Sequence, residues 1–371
     1  MISVRIGPPD PALSDAFDAL ARRAAPNVFM HPAALAAVAE TGFARVHVLQ
    51  AWSDATLVGY WALRESGIAP FPVLTSPPYD YAFVGGPVVD PDHVDAVMPA
   101  FFDCVANTRN LPKVIKLKMI DGDAATFRPM MAALTARRGQ MLKLAEHPRP
   151  FLASEADRKR SGSTAKKLRQ DWNKLSALGA VDIANARSAD DARAAFDIFL
   201  EMELHSWKGA NGTALLSDED DADFARRLIA DLGSRRNASV ALLRVDGKPI
   251  AAQVLLYCGT MAYTWKTAFD AAFAKFSPGA LLIDKVTDAL FASGITQFES
   301  CAAEESFMAQ LWTGRRATVD LLLDVGAESP VSFALAHFGE RAHAVAREWR
   351  QRLRERVWLP ARRKSIAVTR S

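Results

Sequence analysis

The sequence predicts a mixed α/β protein of two tandem domains, each a mixed central sheet flanked by helices, with a basic helix at the C-terminus. Three observations predict it. The chain has 371 residues, 50% of them hydrophobic, enough for two cores at about 100–200 residues per domain. The element order strand, strand, strand, helix, strand, helix, strand can be read twice along it. Between the two readings a polar stretch passes into a basic amphipathic helix. The boundaries fall at residues 1–153, 154–179 for the linker helix, 180–328, and 329–371 for the tail.

In the first half, residues 44–52 and 57–65 read as paired strands and 79–88 as an extended stretch. A helix at 93–106, a strand at 114–120, a helix at 124–137 and a strand at 141–145 follow. The linker is helical because Leu168, Trp172 and Leu175 recur at spacings of four and three before Gly179, a C-terminal stop. Its other faces carry Lys166, Lys167, Arg169 and Lys174.

The second half opens with a strand at 181–186. Ser188 and Asp191 then form a capping-box pattern ahead of a helix through Phe196, Phe199 and Met202. After a helix at 219–232 come three strands, 239–245, 250–258 and 261–269. Asp246-Gly247 joins the first two, a pair suited to a two-residue primed turn. Ser277-Pro278-Gly279 starts a helix with Ser as cap and Pro at the first helical position, and Gly294 ends it. A strand at 295–300, a short helix at 305–312 and a last strand at 319–325 complete the half.

The overall charge of +3 is too small for the whole molecule to attract polyanions by its field. From Arg341 onward, however, ten Arg or Lys face two Glu, a local +8 that leaves −5 for the rest. A helix over 332–357, with Trp349, Leu353 and Val357 on one side, would dock on the body or lie on anionic lipid. Cys104, Cys258 and Cys301 are odd in number and far apart, which fits reduced thiols in a cytoplasm. Neither they nor the seven histidines show zinc spacing, so no metal is expected. The first eleven residues do not read as a signal peptide, and no run approaches the ~20 apolar residues of a membrane span. The expected location is cytoplasmic, with the tail as the route to peripheral contact at the inner membrane face.

Residues Ser277, Pro278, Gly279 and Ala280 form a helix mouth whose free amides can receive a phosphate, with Lys275 ahead and Lys285 about two turns in. Ordinary capping is the alternative. The run Ala268-Phe269-Asp270 to Ala274-Lys275-Phe276-Ser277-Pro278-Gly279, with Leu281-Leu282, Gly294, Phe298-Glu299 and Trp312, resembles the acetyltransferase domain of the CelD-like and Fem-like branch of the GNAT superfamily. His205-Ser206-Trp207-Lys208-Gly209 and the preceding Lys166-Lys167-Leu168-Arg169 resemble that branch too, over residues 160–325, and the tandem layout is similar to the Fem-type double domain.

The resemblance implies an acyl-CoA, acetyl-CoA first, lying between splayed strands 261–269 and 295–300, with its pyrophosphate at Pro278. The acceptor would be an amine or hydroxyl of an envelope saccharide, a peptide or a small metabolite. One Gly and Lys275 stand where the superfamily has a Gly-richer loop, so another thioester, an acyl carrier protein or a charged tRNA stays open as donor. A Fem-type aminoacyl transferase and a non-catalytic scaffold in polysaccharide export are the alternatives.

Glu299, at a central strand end, is the first candidate base, or else an ion-pair partner. His205 is the competing base, or a helix-end residue. Cys301 is a candidate acyl carrier, though packing explains it as well. Trp207 and Lys208, Tyr263 and Lys266, and Tyr79, Asp80 and Tyr81 of the first half are assigned to the substrate. The first half lacks a Ser-Pro-Gly mouth and is not expected to hold the donor.

Overall fold

Runs rich in Val, Ile, Leu and aromatic residues, cut by Gly, Pro and Asp turns, form strands, and amphipathic segments form the helices that cover them. The computed structural model describes residues 1–67, 72–159, 161–326 and 333–341. The first half contains β1 (Ile2–Gly7), α1 (Ser14–Ala21), α2 (Pro32–Glu40), β2 (Val46–Ser53), β3 (Thr56–Ser66), β4 (Val73–Ser76), β5 (Val88–Val89), α3 (Val94–Asn107), β6 (Val114–Asp121), α4 (Phe127–Ala136) and β7 (Gln140–Leu152). The second contains α5 (Gly162–Ser176), β8 (Val181–Ala184), α6 (Ala189–Leu204), α7 (Trp207–Ala210), α8 (Glu219–Ser234), β9 (Ala238–Val245), β10 (Lys248–Cys258), β11 (Met261–Phe269), α9 (Pro278–Ala292), β12 (Gln297–Glu299), α10 (Met308–Leu311) and β13 (Arg315–Asp324).

A continuous sheet runs β1-β2-β3-β4-β6-β13-β7-β12-β11-β10-β9-β8, with β5 beside β3. The two halves meet along β7. Its residues 140–150 pair with β13, and its last two, Phe151 and Leu152, pair with Glu299 and Phe298 of β12. The strand expected to close the second half therefore lies in the first, antiparallel to both β6 and β7. The reason is packing: Val319, Leu321 and Leu323 alternate along β13 and bury their side chains in the core of the first half.

That larger core does not stop at the boundary. It continues into Phe196 and Phe199 of α6 and Phe224 and Leu228 of α8, and Phe43 stacks on Phe224 with ring centroids 4.6 Å apart. A smaller core lies on the other face of the second-half sheet, where α5 and α9 bury Leu168, Leu175, Leu282 and Val286. The amphipathic α5 is thus laid across α9.

Other expectations need adjusting. Residues 79–88 are mostly irregular, with only Val88–Val89 paired to β3. The strand at 295–300 is cut to Gln297–Glu299 because the chain turns at Cys301, where φ is 52°. The helix at 305–312 is only Met308–Leu311. Residues 333–341 are helical, while Trp349, Leu353 and Val357 lie outside the described residues. Among the described residues no helix is long and apolar enough to cross a membrane.

Candidate active site

The site begins with a fault in the sheet. Parallel β11 and β12 pair only over Met261–Tyr263 and Gln297–Glu299. β11 then continues to Phe269, while β12 ends and Ser300, Cys301 and Ala302 turn away. From Thr264 to Phe269 one edge of β11 has no ladder partner. Trp265 is the extra residue of a bulge, since Thr264 opposes Leu255 but Lys266 opposes Val254. A cavity of about 600 Å³ fills the gap, bounded by 264–267, 300–302, the start of α9, α5 and α10, with Phe83 from the first half.

The outer end of the cavity is the mouth of α9. Pro278 occupies the first helical position, and the amides of Gly279 and Ala280 have no partner among the described residues. Ser277 does not cap the helix: it has φ 51° and no side-chain capping bond. Instead its Oγ accepts from Lys167 Nζ of α5 at 2.7 Å, and Lys167 is also paired with Asp171. Gly279 packs closely on β11, where a Cβ would lie 3.3 Å from Thr267 Cγ2. Lys275 stands over the Phe276 ring, outside the cavity lining, so the cation at the mouth is Lys167.

The inner end holds two lysines on one carboxylate. Glu203 is fully buried on α6. Its Oε1 accepts from Lys208 Nζ at 2.8 Å and lies 3.8 Å from Lys266 Nζ, while its Oε2 accepts from Leu215 N–H. Lys208 also donates to Thr267 O at 2.9 Å. Lys266 lines the cavity 4.6 Å from the Tyr81 ring centroid. Burial, reinforced by Lys208 and opposed by Glu203, holds its ammonium pKa below the usual lysine value. Trp207, 64% exposed, forms the outer wall here.

Several expected site residues are elsewhere. Glu299 is fully buried and absent from the lining. Its carboxylate is paired with Arg316 at 3.0 Å and Arg149 at 3.5 Å, and it accepts from Cys301 N–H at 3.3 Å. A carboxylate so engaged lies behind the cavity wall and is tied to it through the Cys301 amide. His205 is exposed at the end of α6, its Nδ1 2.7 Å from Glu201 O, and is also outside the lining.

Tyr263 is buried and donates to Pro26 O at 2.8 Å, so it joins the halves and does not face substrate. Asp80 is exposed and paired with Arg64. Tyr79 is buried with no partner for its hydroxyl among the described residues. Tyr81 donates to Asp221 and supports Lys266 with its ring. Cys301 does line the cavity, but burial and the nearby Glu299 push its thiol well above the ordinary value, which disfavours the reactive thiolate.

The lining contains no carboxylate and no imidazole among the described residues. Nor does any group of His, Cys, Asp and Glu there suit a metal ion. Glu203 was missed in the sequence although a signal existed, since it sits on the buried stripe of α6 after Phe196, Phe199 and Leu200. Arg149 and Arg316 had no such signal, because strand pairing between distant segments brings them to Glu299.

Residues 162–308 match the family model described as Acetyltransferase (GNAT) domain. A crystal structure of FemX superposes with a TM-score of 0.60 at 11% identity, covering 91% of this chain and 100% of FemX. The C-terminal domain of a putative lysylphosphatidylglycerol synthetase from Agrobacterium fabrum gives 0.54 at 14%, covering 88% of this chain and 96% of that one. For L-PGS from Bacillus licheniformis the values are 0.50 and 14%, with 90% and 97% covered. No curated protein sequence matches. Residues 162–308 thus match a GNAT domain, and the chain as a whole shares the fold of FemX.

Proposed function

We propose that the protein is a GNAT-type acyltransferase that moves an acyl group, acetyl first among them, from a CoA thioester to an amine or hydroxyl. The observation that carries this is the unpaired edge of β11, which faces a cavity running to the free amides of Gly279 and Ala280. The pantetheine arm would add to that edge by backbone hydrogen bonds and direct its phosphates to the α9 mouth and Lys167. The acceptor would enter past Trp207 and Phe83, an envelope saccharide, peptide or small metabolite being the expected classes.

Transfer from a thioester needs positioning and stabilisation of the oxyanion that forms when the acceptor attacks the carbonyl. A free N–H of β11 and the Lys266 ammonium are the donors available to that oxygen. With no carboxylate or imidazole in the lining, the acceptor's proton passes to water or to the departing thiolate. The test is binding and turnover with acetyl-CoA and longer acyl-CoAs. At ~100 times its dissociation constant a ligand raises stability by ~2.7 kcal/mol, visible as a thermal shift. Absence of both shift and thiol release with every CoA thioester removes this reading and favours the scaffold.

A second reading, aminoacyl transfer from charged tRNA, is supported by the exposed Lys166, Lys167, Arg169 and Lys174 on α5 beside the cavity. A mobility shift with charged tRNA that weakens steeply with salt would favour it.

A further inference from the structure

A second cavity, of about 270 Å³, opens between α5 and α9 on the far side of Leu168, which lines both cavities. Grooves between packed helices usually close by interdigitation of apolar side chains. This one gathers Lys159, Arg169 and Lys285 around the indole of Trp172, with Lys285 Nζ 5.2 Å from the ring centroid. Its two acids offset them only in part. Asp284 and Asp288 are both paired with Arg158, whose side chain is only 3% exposed. The side chains of Lys159, Arg169 and Lys285 have no ion pair or hydrogen bond among the described residues. Three cations facing two carboxylates that also share one guanidinium leave an excess of positive charge that is unfavourable for the fold alone, whereas an aromatic face edged by Arg and Lys suits a nucleotide.

The groove adjoins the donor cavity across Leu168. Along α5, Lys167 lines the donor cavity and Arg169, on the other side of Leu168, lines the groove. Along α9, Lys285 lies roughly 9 Å beyond Gly279, so a carrier whose diphosphate meets the amides of Gly279 and Ala280 extends toward Trp172. We propose that this groove seats the nucleoside 3′-phosphate end of the donor's carrier, with Arg169 and Lys285 binding the phosphate and Trp172 contacting the base. The inference rests on the acyl-CoA reading and makes α5 part of the donor site.

The test is calorimetric titration of the full chain with acetyl-CoA, its 3′-dephospho form and S-acetyl-4′-phosphopantetheine. Wild type is expected to bind acetyl-CoA at least roughly tenfold more tightly than the dephospho form, as for a charge-assisted contact. Arg169→Ala with Lys285→Met, which keeps the stem over Trp172, should bind both equally and at the weaker level. Unchanged affinity of that variant for acetyl-4′-phosphopantetheine shows that the donor cavity is intact. The exposed single change Arg169→Ala should give part of the loss. Discrimination that survives in the double variant, or is absent from wild type, overturns the groove assignment while the acyl-CoA reading stands. If wild type binds no acyl thioester, both fall, and binding of charged tRNA to the same groove would then identify the other donor.

Discussion

Arg316 and Glu299 stand 3.0 Å apart, the first on β13 and the second at the end of β12. Each is the centre of further contacts. Arg316 Nε lies 3.1 Å from Asp121 on β6, and its guanidinium lies 3.7 Å over the Phe151 ring. Glu299 reaches Arg149 on β7, which in turn donates to Phe83 O, and it accepts the Cys301 amide. Two cavity-lining residues, Phe83 and Cys301, are thus tied to a charge cluster that joins the halves. Glu299→Gln leaves Arg149 without its carboxylate in a buried place and Arg316 with Asp121 alone, at a cost of about 3–5 kcal/mol. A urea midpoint that falls without a change in slope will show it. Turnover should fall as the turn at 300–302 loosens, but the pH–rate profile of the surviving activity should keep its shape. Loss of an acid limb in the variant would restore Glu299 as a base.

Lys266→Met separates function from stability. The ammonium is held below the ordinary lysine value by burial, and Glu203 retains Lys208 and the Leu215 amide without it. Stability should therefore change by less than about 1 kcal/mol, whereas turnover should drop on the order of 100-fold if Lys266 serves the oxyanion. The sign with pH follows. As pH rises, the native chain releases this proton before the unfolded chain does, so between the native value and 10.5 this group makes stability rise with pH. Activity runs the other way, falling as the ammonium is lost, and the methionine variant should lack that alkaline limb. A variant with full turnover would remove Lys266 from the chemistry.

How much could be read beforehand depended on whether a feature was local. The Asp246-Gly247 turn, the β9-β10-β11 succession and Pro278 at the first position of α9 are decided by neighbouring residues, and each stands where the letters put it. Trp207, Lys208, Lys266 and the Ser277–Ala280 mouth all lie on the cavity wall. Glu299 was correctly placed at a strand end, yet its partners Arg149 and Arg316 arrive through β7 and β13. The insertion of β13 between β6 and β7 is a long-range pairing that no local pattern records. Lys167 stands at the mouth where Lys275 was expected for a similar reason: sequence adjacency favoured Lys275, and the packing of α5 across α9 delivers Lys167.

Gly279 gives a test of the α9–β11 contact. Its missing Cβ would meet Thr267 Cγ2 at 3.3 Å, so Gly279→Ala must displace the helix start by a few tenths of an ångström or move Thr267. The expected destabilisation is about 1 kcal/mol, with a larger relative loss of acetyl-CoA affinity because the free amides shift with the helix. Thr267→Ser removes Cγ2 but keeps the hydroxyl that donates to Gln253. The double variant should recover most of both losses. If the two changes simply add, the contact is not what the glycine is for.

The acid limb of stability should depend on Asp18. Burial by itself would raise this carboxyl, but hydrogen bonds from His31 and Arg235 hold it below 3.8. The His31 ring is buried, and its Nδ1 accepts the Ala33 amide, so the proton sits on Nε2, which donates to Asp18 at 3.2 Å. Arg235 Nη2, from the segment after α8, lies 2.7 Å from the other oxygen and also ties the two halves together. Because the folded value lies below the unfolded one, the unfolded chain takes up the proton first as pH falls. The stabilisation is present above 3.8 and is lost as pH drops through the folded value. Asp18→Asn should cost about 1–3 kcal/mol near neutrality and flatten the decline below about pH 4. Urea titrations from about pH 7 down to about pH 2.5 would show wild type and variant converging. Parallel curves over that range would mean that the charge on Asp18 contributes nothing to the joint.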